Sequence, residues 1–276
     1  MPRVQILRDD LGPALQVHRG NEALRAAFEG ASDPRAFLLV LARYIQFNSA
    51  FGPGLANLSG EIGARRELFR DPDQPVPVLA DRAAEVAADF FYAAVDEFDD
   101  RATPWRDTHR TLAQATLEGA ARFFGYLPSQ LEEIVRINPS TERAMQRVSE
   151  GYGLGARLPD RRLFAAMGFH VGSEILADQE FLIIDRLLRK NRPDLVAALE
   201  GMRVLILGQK HNAYYWIRIH TGVEAEHFDA ALSGVNKALR FYAGPDDPAE
   251  VKGWILGGFE HFASLQADFM AGLAGP

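Results

Sequence analysis

Hydrophobic residues recur every three or four positions through most of the chain, which is the spacing of amphipathic α-helices. The first clear helix begins at Ser32-Asp33-Pro34, where a capping residue precedes proline, and we expect it to end near Gly52-Pro53-Gly54. Further helices are predicted at about 54–70, 78–99, 105–125, 128–137, 140–150, 163–190, 194–200, 203–242 and 248–273. Loops are expected at 71–77 and 101–104, and a glycine-rich connector is expected at 151–160.

No segment has a convincing strand pattern. The run Val204–Leu207 is the best candidate, but it continues into a helical pattern, and we expect only a kink near Gly208. Because almost every segment has a helical pattern, the sequence predicts an all-α protein. It contains neither a repeat nor an interdomain linker. We expect a single helical bundle of about eight helices over residues 1–276, with an N-terminal extension at 1–31.

Composition narrows the classes of function. A net charge of −7 argues against nucleic acid or an anionic membrane as a partner. The start of the sequence lacks the apolar core of a signal peptide, and no apolar run approaches the roughly 18 residues needed to span a bilayer, so we expect a cytoplasmic protein. The chain has no cysteine, and a metal site would therefore consist of His, Asp and Glu, which suits iron, manganese or zinc.

The segment with the most informative polar residues is predicted to be helical and otherwise apolar. His220, Glu224 and His227 are separated by four and three residues, so they share one face of the helix with Trp216. A buried carboxylate needs a partner, and one metal ion would satisfy all three side chains. Glu226 points elsewhere and is a candidate to orient a ligand histidine. The alternative is a surface helix with a Glu–His ion pair.

Three further polar side chains lie on apolar helix faces. Glu97 continues the apolar stripe of its helix, Glu174 lies in the middle of a very apolar helix, and His109 lies on the inner face of the helix between them. The alternatives are a solvated acidic helix end, a buried ion pair and a core histidine, respectively. Together with the triplet, these residues form the ligand set of a carboxylate-bridged dimetal site inside a helical bundle.

The segment H-T-G-V-E-A-E-H at 220–227 resembles the H-x3-D-x2-H motif of the third core helix in haem-oxygenase-like dimetal oxidases and oxygenases. Glu97 and His109 resemble the Glu-loop-His pair of that family, and Glu174 resembles its single carboxylate on the intervening helix. The resemblance covers residues 35–270 approximately. Two departures are the acid Glu224, where Asp is usual, and the longer, proline-containing spacing between Glu97 and His109.

The resemblance implies a haem-oxygenase-like fold and a metal site. The implied ligands are Glu97, His109, Glu174, His220, Glu224 and His227. Four neighbouring residues remain open as replacements for one of these ligands: Asp99, Asp100, His170 and Asp178.

The activity implied by the resemblance is that of a biosynthetic non-haem diiron oxidoreductase. It would use two Fe(II) ions, or manganese, and O2 as cosubstrate to oxidise a small carboxylic or amino acid. The outcome would be desaturation, hydroxylation, N-oxygenation or C–C fragmentation; an external electron donor and a homodimer are left open. The alternatives are a metal-independent oxidase and a non-catalytic helical binding protein on the same fold. A carboxylate substrate requires a cation, for which the sequence offers Arg43, Arg110, Lys210 and Arg218 without choosing among them.

Overall fold

The computed structural model describes residues 4–12, 17–71, 73, 81–100, 103 and 105–275, apart from the side chains of residues 17, 18, 223 and 224. These residues form an all-α bundle, so the predicted fold class is confirmed. The described part contains twelve helices: α1 (Arg8–Leu11), α2 (Val17–Gly30), α3 (Pro34–Asn48), α4 (Phe51–Gly63), α5 (Arg82–Phe98), α6 (His109–Phe123), α7 (Pro128–Ile134), α8 (Pro139–Gly151), α9 (Asp160–Asn191), α10 (Pro193–Gly201), α11 (Tyr215–Phe241) and α12 (Pro248–Gly272).

Some expectations fall on chain segments that the structure does not describe. The loops expected at 71–77 and 101–104, and the helix start expected at 78, lie largely outside the described residues. Within the segment assigned to an N-terminal extension, α2 packs against α12 and α9. None of the described helices combines the length and apolar character needed to cross a membrane.

The boundary between α3 and α4 differs from the expected one. The carboxylate of Asp33 caps α3 by accepting from the backbone N–H groups of Arg35 and Ala36, as its position before Pro34 predicts. The helix ends earlier than expected, however, and the Gly52-Pro53-Gly54 run lies in the first turn of α4. Proline is tolerated there because the N–H that it lacks would have no partner within the helix. The run therefore begins the second helix and does not end the first.

A β-hairpin replaces the first part of the helix expected at 203–242, and that prediction is wrong. Strands β1 (Arg203–Ile206) and β2 (Gln209–Asn212) pair in antiparallel register. The turn between them consists of Leu207 and Gly208, with φ angles of 49° and 81°, as in a type I′ turn. Burial alternates along β1, with Val204 and Ile206 inside, so the apolar residues follow a period of two. Because leucine occupies the first left-handed position of the turn, the sequence lacks the Asn-Gly pair that usually indicates a hairpin.

The long helix α9 lies at the centre of the bundle, packed most extensively against α12 and α11. Two glycines allow the close crossing of α9 and α12. A Cβ built on Gly168 of α9 would lie 1.8 Å from the backbone oxygen of Ile255, and one on Gly258 of α12 would lie 1.8 Å from that of Ala165. Helix α5 packs on α4 and on α11. This arrangement brings α5, α6, α9 and α11 around one buried polar region.

Candidate metal centre

Four helices supply the polar side chains of this region. Glu97 lies in the last turn of α5, and His109 is the first residue of α6. Thr108 caps α6 by accepting from the backbone N–H of Thr111, so the helix begins where His109 can turn into the core. Glu174 lies midway along α9, and the histidines of the triplet lie two turns apart on α11. The helix faces predicted to be apolar are therefore the faces that meet.

Glu97, His109 and His220 form the first cluster. One candidate ligand atom from each residue lies within 4.8 Å of those of the other two. Glu97 Oε1 is 3.1 Å from His109 Nδ1, and the centroids of the two imidazole rings are 4.5 Å apart. His109 and His220 are buried. Three of the six predicted ligands thus converge from three different helices.

The His220 ring is held in a defined orientation. Its Nδ1 lies 2.7 Å from the backbone oxygen of Trp216, so this nitrogen carries the proton and donates it. The ring of Phe181 stacks on the imidazole at a centroid distance of 4.2 Å. The hydrogen bond leaves Nε2 as the nitrogen with the lone pair. A histidine whose other ring nitrogen donates to a carbonyl is the usual form of a metal ligand.

Glu174 and His227 form the second cluster, together with two residues that were not assigned as ligands. Glu174 Oε1 lies 3.2 Å from His170 Nδ1, and Glu174 Oε2 lies 3.5 Å from His227 Nδ1. On the other edge of its ring, His227 Nε2 lies 3.0 Å from Asp96 Oδ2. His227 therefore lies between two carboxylates. His170, left open as a substitute ligand, is fully buried beside Glu174.

The carboxylate that orients His227 is Asp96, which sequence analysis did not select. Glu226, expected in an orienting role, is exposed and accepts a hydrogen bond of 3.2 Å from the Tyr92 hydroxyl. Burial raises the pKa of Tyr92 above its ordinary value, and the hydrogen bond to Glu226 raises it further. Asp96 was missed because it lies on the flank of the α5 stripe, and that flank faces α11 only once the helices have packed.

Both clusters line one small cavity of about 40 Å³, to which they contribute Glu97, Glu174, His220 and His227. A third carboxylate, Glu180, also lines this cavity and was missed by sequence analysis. Glu180 is buried and accepts hydrogen bonds from the Tyr44 hydroxyl at 2.8 Å and from Gln266 Nε2 at 2.9 Å. Its signal in the sequence was an acidic residue directly before an apolar run, which also fits an ordinary helix edge.

The remaining expected positions have different outcomes. The backbone of Glu224 belongs to α11, but its side chain lies outside the described part of the chain. Asp99 forms a salt bridge with Arg106, with Asp99 Oδ1 2.6 Å from Arg106 Nε. Asp100 is buried in the connection after α5, and its backbone N–H donates to the backbone oxygen of Asp107. Glu97, and neither Asp99 nor Asp100, supplies the carboxylate of the first cluster. Asp178 lies half-buried on α9.

The four candidate cations lie in different surroundings. Arg43 is buried and donates to the backbone oxygen of Leu273 at 3.0 Å, and this burial lowers its pKa. Lys210 is exposed on β2, and Arg218 is exposed on α11 with its guanidinium over the ring of its neighbour Tyr215. Arg110 lines a second cavity, which also contains residues of the first cluster. Of these four, Arg110 is the cation placed to meet a molecule at the site.

The donor set fits a divalent metal of the iron, manganese or zinc type. Imidazole and carboxylate are the ligands these metals share, and thiolate ligands are absent because the sequence has no cysteine. An imidazole nitrogen of His109 lies beside a carboxylate oxygen of Glu97, and one of His227 lies near a carboxylate oxygen of Glu174, so each pair offers nitrogen and oxygen ligands of the kind these metals take. The fixed tautomer of His220 agrees with the same role. The cavity that both clusters line also contains the carboxylate of Glu180.

Comparison with known proteins adds a likeness of fold. No family model matches the sequence, and no curated protein is similar to it. The crystal structure of a CADD-like protein of unknown function from Nostoc punctiforme PCC 73102 is similar, with a TM-score of 0.50 and 15% identity, over 94% of this chain and 97% of that chain. At this identity the likeness concerns the fold alone.

Proposed function

We propose that this chain is an O2-dependent non-haem diiron oxidoreductase that oxidises a small carboxylic or amino acid. The observation that carries the proposal is the convergence of Glu97, His109 and His220 within 4.8 Å, with the tautomer of His220 fixed by a backbone oxygen. The same small cavity is also lined by Glu174 and His227, whose carboxylate and imidazole would supply ligands to a second metal ion.

The first cluster would hold one metal ion. Glu174 and His227 would supply part of the ligand set of a second ion. The family resemblance adds Glu224 to this set. When bound, iron supplies the electrons that reduce O2, which organic side chains do not supply at neutral pH. Manganese accepts the same nitrogen and oxygen ligands and is a competitor for the site.

The chain's own residues prepare the site in three ways. The Trp216 carbonyl keeps the proton of His220 on Nδ1 and leaves Nε2 as the candidate ligand atom. Asp96 fixes the ring of His227 from its outer edge. Phe47, Phe181 and Phe262 supply apolar wall to the cavity, which would limit the access of water to a reactive species formed there.

One observation favours the alternative of a non-catalytic helical binding protein. His227 contacts Asp96 on one edge and Glu174 on the other, so a protonated imidazole would satisfy both acids without a metal. A metal-independent oxidase on this fold would also retain these ion pairs. Both alternatives predict that the protein takes up no metal and that added metal leaves its free energy of unfolding unchanged.

Anaerobic titration with Fe(II), followed by equilibrium dialysis and iron analysis, tests the proposal. We expect uptake close to two Fe(II) per chain and O2 consumption on exposure to air. His220→Ala should remove at least one of the two ions, whereas His261→Ala, the same change at an exposed position on α12, should remove none. Bound metal should also raise the free energy of unfolding, by about 2.7 kcal/mol at one hundred times its dissociation constant. Uptake of one ion or none by the wild type, or equal loss in both variants, would contradict the proposal.

A further inference from the structure

Helix α5 has apolar side chains on two opposite faces. Its inner face contributes buried residues such as Val86 and Phe90 to the core. On the other side, residues separated by four, three, four and three positions are also apolar: Ala84, Ala88, Phe91, Val95 and Phe98. At about 100° per residue these five fall within a sector of about 80°, and we call them the outer stripe of α5. A surface helix is ordinarily polar on its outer face, so a second apolar face is typical of a helix that another molecule covers.

Large aromatic side chains on and beside the outer stripe are exposed to solvent. Phe91 is 53% exposed and Phe98 is 50% exposed, and Tyr92 on the flank of the stripe is 46% exposed. Because an aromatic side chain that becomes buried removes about 150–250 Å² from water, the exposed parts of these three offer roughly 200–400 Å². That is about a third of the roughly 800 Å² that each partner of a stable complex buries, and buried aromatic side chains usually form the centre of such an interface.

The order of side-chain sizes along the outer stripe suits an antiparallel copy of the same helix. Alternating steps of four and three residues are the spacing of a coiled-coil seam, and a two-fold axis brings one surface against itself. With that axis near position 93, Phe98 faces Ala88 of the second copy, and Phe91 faces its Val95. Each phenylalanine thus meets a smaller residue. In a parallel pair each phenylalanine would meet itself, and the alanines would leave gaps in the packing.

Exposed charges of opposite sign lie at the two ends of the outer stripe, on the same flank. Near the beginning of α5, the side chain of Glu85 is 50% exposed while it pairs with Arg82 of its own helix. At the end of α5, the side chain of Arg106 is 69% exposed while it pairs with Asp99. An antiparallel arrangement places Glu85 of each copy beside Arg106 of the other, whereas a parallel one places like charges together. Complementary charge therefore favours the same orientation as side-chain size.

We infer that the outer stripe of α5 is the interface of a two-fold symmetric dimer of this chain, in which the two α5 helices pack antiparallel. The second copy is the occupant that the stripe fits, because the surface complements itself in both size and charge. The same helix supplies Asp96 and Glu97 to the candidate metal centre, so the dimer would hold that helix from its outer side. The association requires no metal and does not depend on the proposed function.

Sedimentation velocity of the metal-free full chain over a range of concentrations tests the association. We expect the wild type to sediment with twice the mass of one chain. Phe91→Glu and Phe98→Glu should each raise the dissociation constant at least about thirtyfold, because each buries a charge at the centre of the interface. Leu127→Glu is a matched control, since Leu127 lies outside α5 and is 63% exposed, and it should leave the dissociation constant unchanged. Far-ultraviolet circular dichroism should be the same for all four proteins.

Single cysteines test the antiparallel arrangement, since the natural chain contains none. With a two-fold axis near position 93, the two copies of residue 95 are offset by about 6 Å along the helix axes, and those of residue 84 by about 27 Å. A short bismaleimide should therefore cross-link Val95→Cys into a covalent dimer and should leave Ala84→Cys uncoupled. A parallel pair would be cross-linked at both positions.

Three results would overturn the inference. The first is a wild type that remains a monomer at about 100 µM, which would mean that a second copy does not cover the stripe with useful affinity. The second is a dimer that Phe91→Glu and Phe98→Glu leave intact, which would place the interface elsewhere on the molecule. The third is a failure of Val95→Cys to cross-link, or cross-linking of Ala84→Cys to the same extent, which would exclude the antiparallel packing of α5.

Discussion

Replacing Gly258 with alanine should destabilise the bundle, and the same change at the preceding residue should stabilise it. The two glycines are adjacent on α12 but differ in what a side chain would meet. A Cβ at Gly258 would lie 1.8 Å from the backbone oxygen of Ala165 on α9, whereas a Cβ at Gly257 would have nothing within 4 Å. The reciprocal position, Gly168 on α9, meets the backbone oxygen of Ile255 at the same distance.

The size of the effect follows from these distances. Contacts of real Cβ atoms essentially never fall below 3.0 Å, so α9 and α12 must separate by more than 1 Å to admit the new methyl group at Gly258. The atom in the way belongs to a helix backbone and cannot rotate aside. Overpacking of this kind costs about 1–3 kcal/mol or more, of which the better helix propensity of alanine offsets about 1 kcal/mol. We expect a net loss of up to about 2 kcal/mol for Gly258→Ala and a gain of about 0.5–1 kcal/mol for Gly257→Ala.

Equilibrium unfolding in urea, followed by circular dichroism at room temperature, measures both changes. The midpoint should move down for Gly258→Ala and up for Gly257→Ala. Gly168→Ala should resemble Gly258→Ala and should also weaken Fe(II) binding, because α9 carries Glu174. Equal midpoints for the two α12 variants would refute the argument from close helix crossing.

Three further outcomes are expected. Asp96→Asn removes the charge that orients His227, so Fe(II) affinity measured by dialysis should fall about 10- to 100-fold, and an unchanged affinity would exclude Asp96 from the site. Leu207 is 95% exposed at a φ of 49°, so Leu207→Asn should raise the free energy of unfolding in urea by about 0.5–1 kcal/mol; a lower urea midpoint would contradict this account of the turn. Burial and a hydrogen bond to Asp246 raise the pKa of Tyr242 from 10.0 to about 12. The folded state therefore keeps this proton longer than the unfolded chain. The resulting stabilisation should be complete below pH 10 and lost as the pH rises through about 12, a decline that Tyr242→Phe should reduce in alkaline urea titrations.

The long helices could be predicted from the sequence because the helical spacing of apolar residues persists through segments such as α9 and α12. The hairpin could not, since its strands have four residues each and its turn uses Leu207 in a conformation that leucine rarely adopts. A short apolar run does not distinguish a strand from a buried helix. The turn sequence normally distinguishes the two, but leucine at position 207 does not indicate a hairpin turn.

The residues of the candidate site also fall into two groups, those that the sequence could predict and those that it could not. Glu97, His109 and His220 were found because each lies on the apolar stripe of its own helix, and such stripes meet in a bundle. Asp96 and Glu180 were not found because their roles depend on what the neighbouring helix presents. Asp96 meets a ring on α11, and Glu180 meets hydroxyl and amide groups from α3 and α12. Local periodicity contains no information about these partners.

The wide sequence separation within the second cluster has a consequence for biogenesis. Asp96 and His227 are 131 positions apart. A ribosome adding about 5–20 residues per second needs about 7–26 s to synthesise the chain between them. During that interval the acids of α5 are present without the histidines of α11, and α9 has no α12 to pack against. If the chain takes up metal as proposed, we expect capture to follow the synthesis and packing of α11 and not to begin on a segment that contains α5 alone.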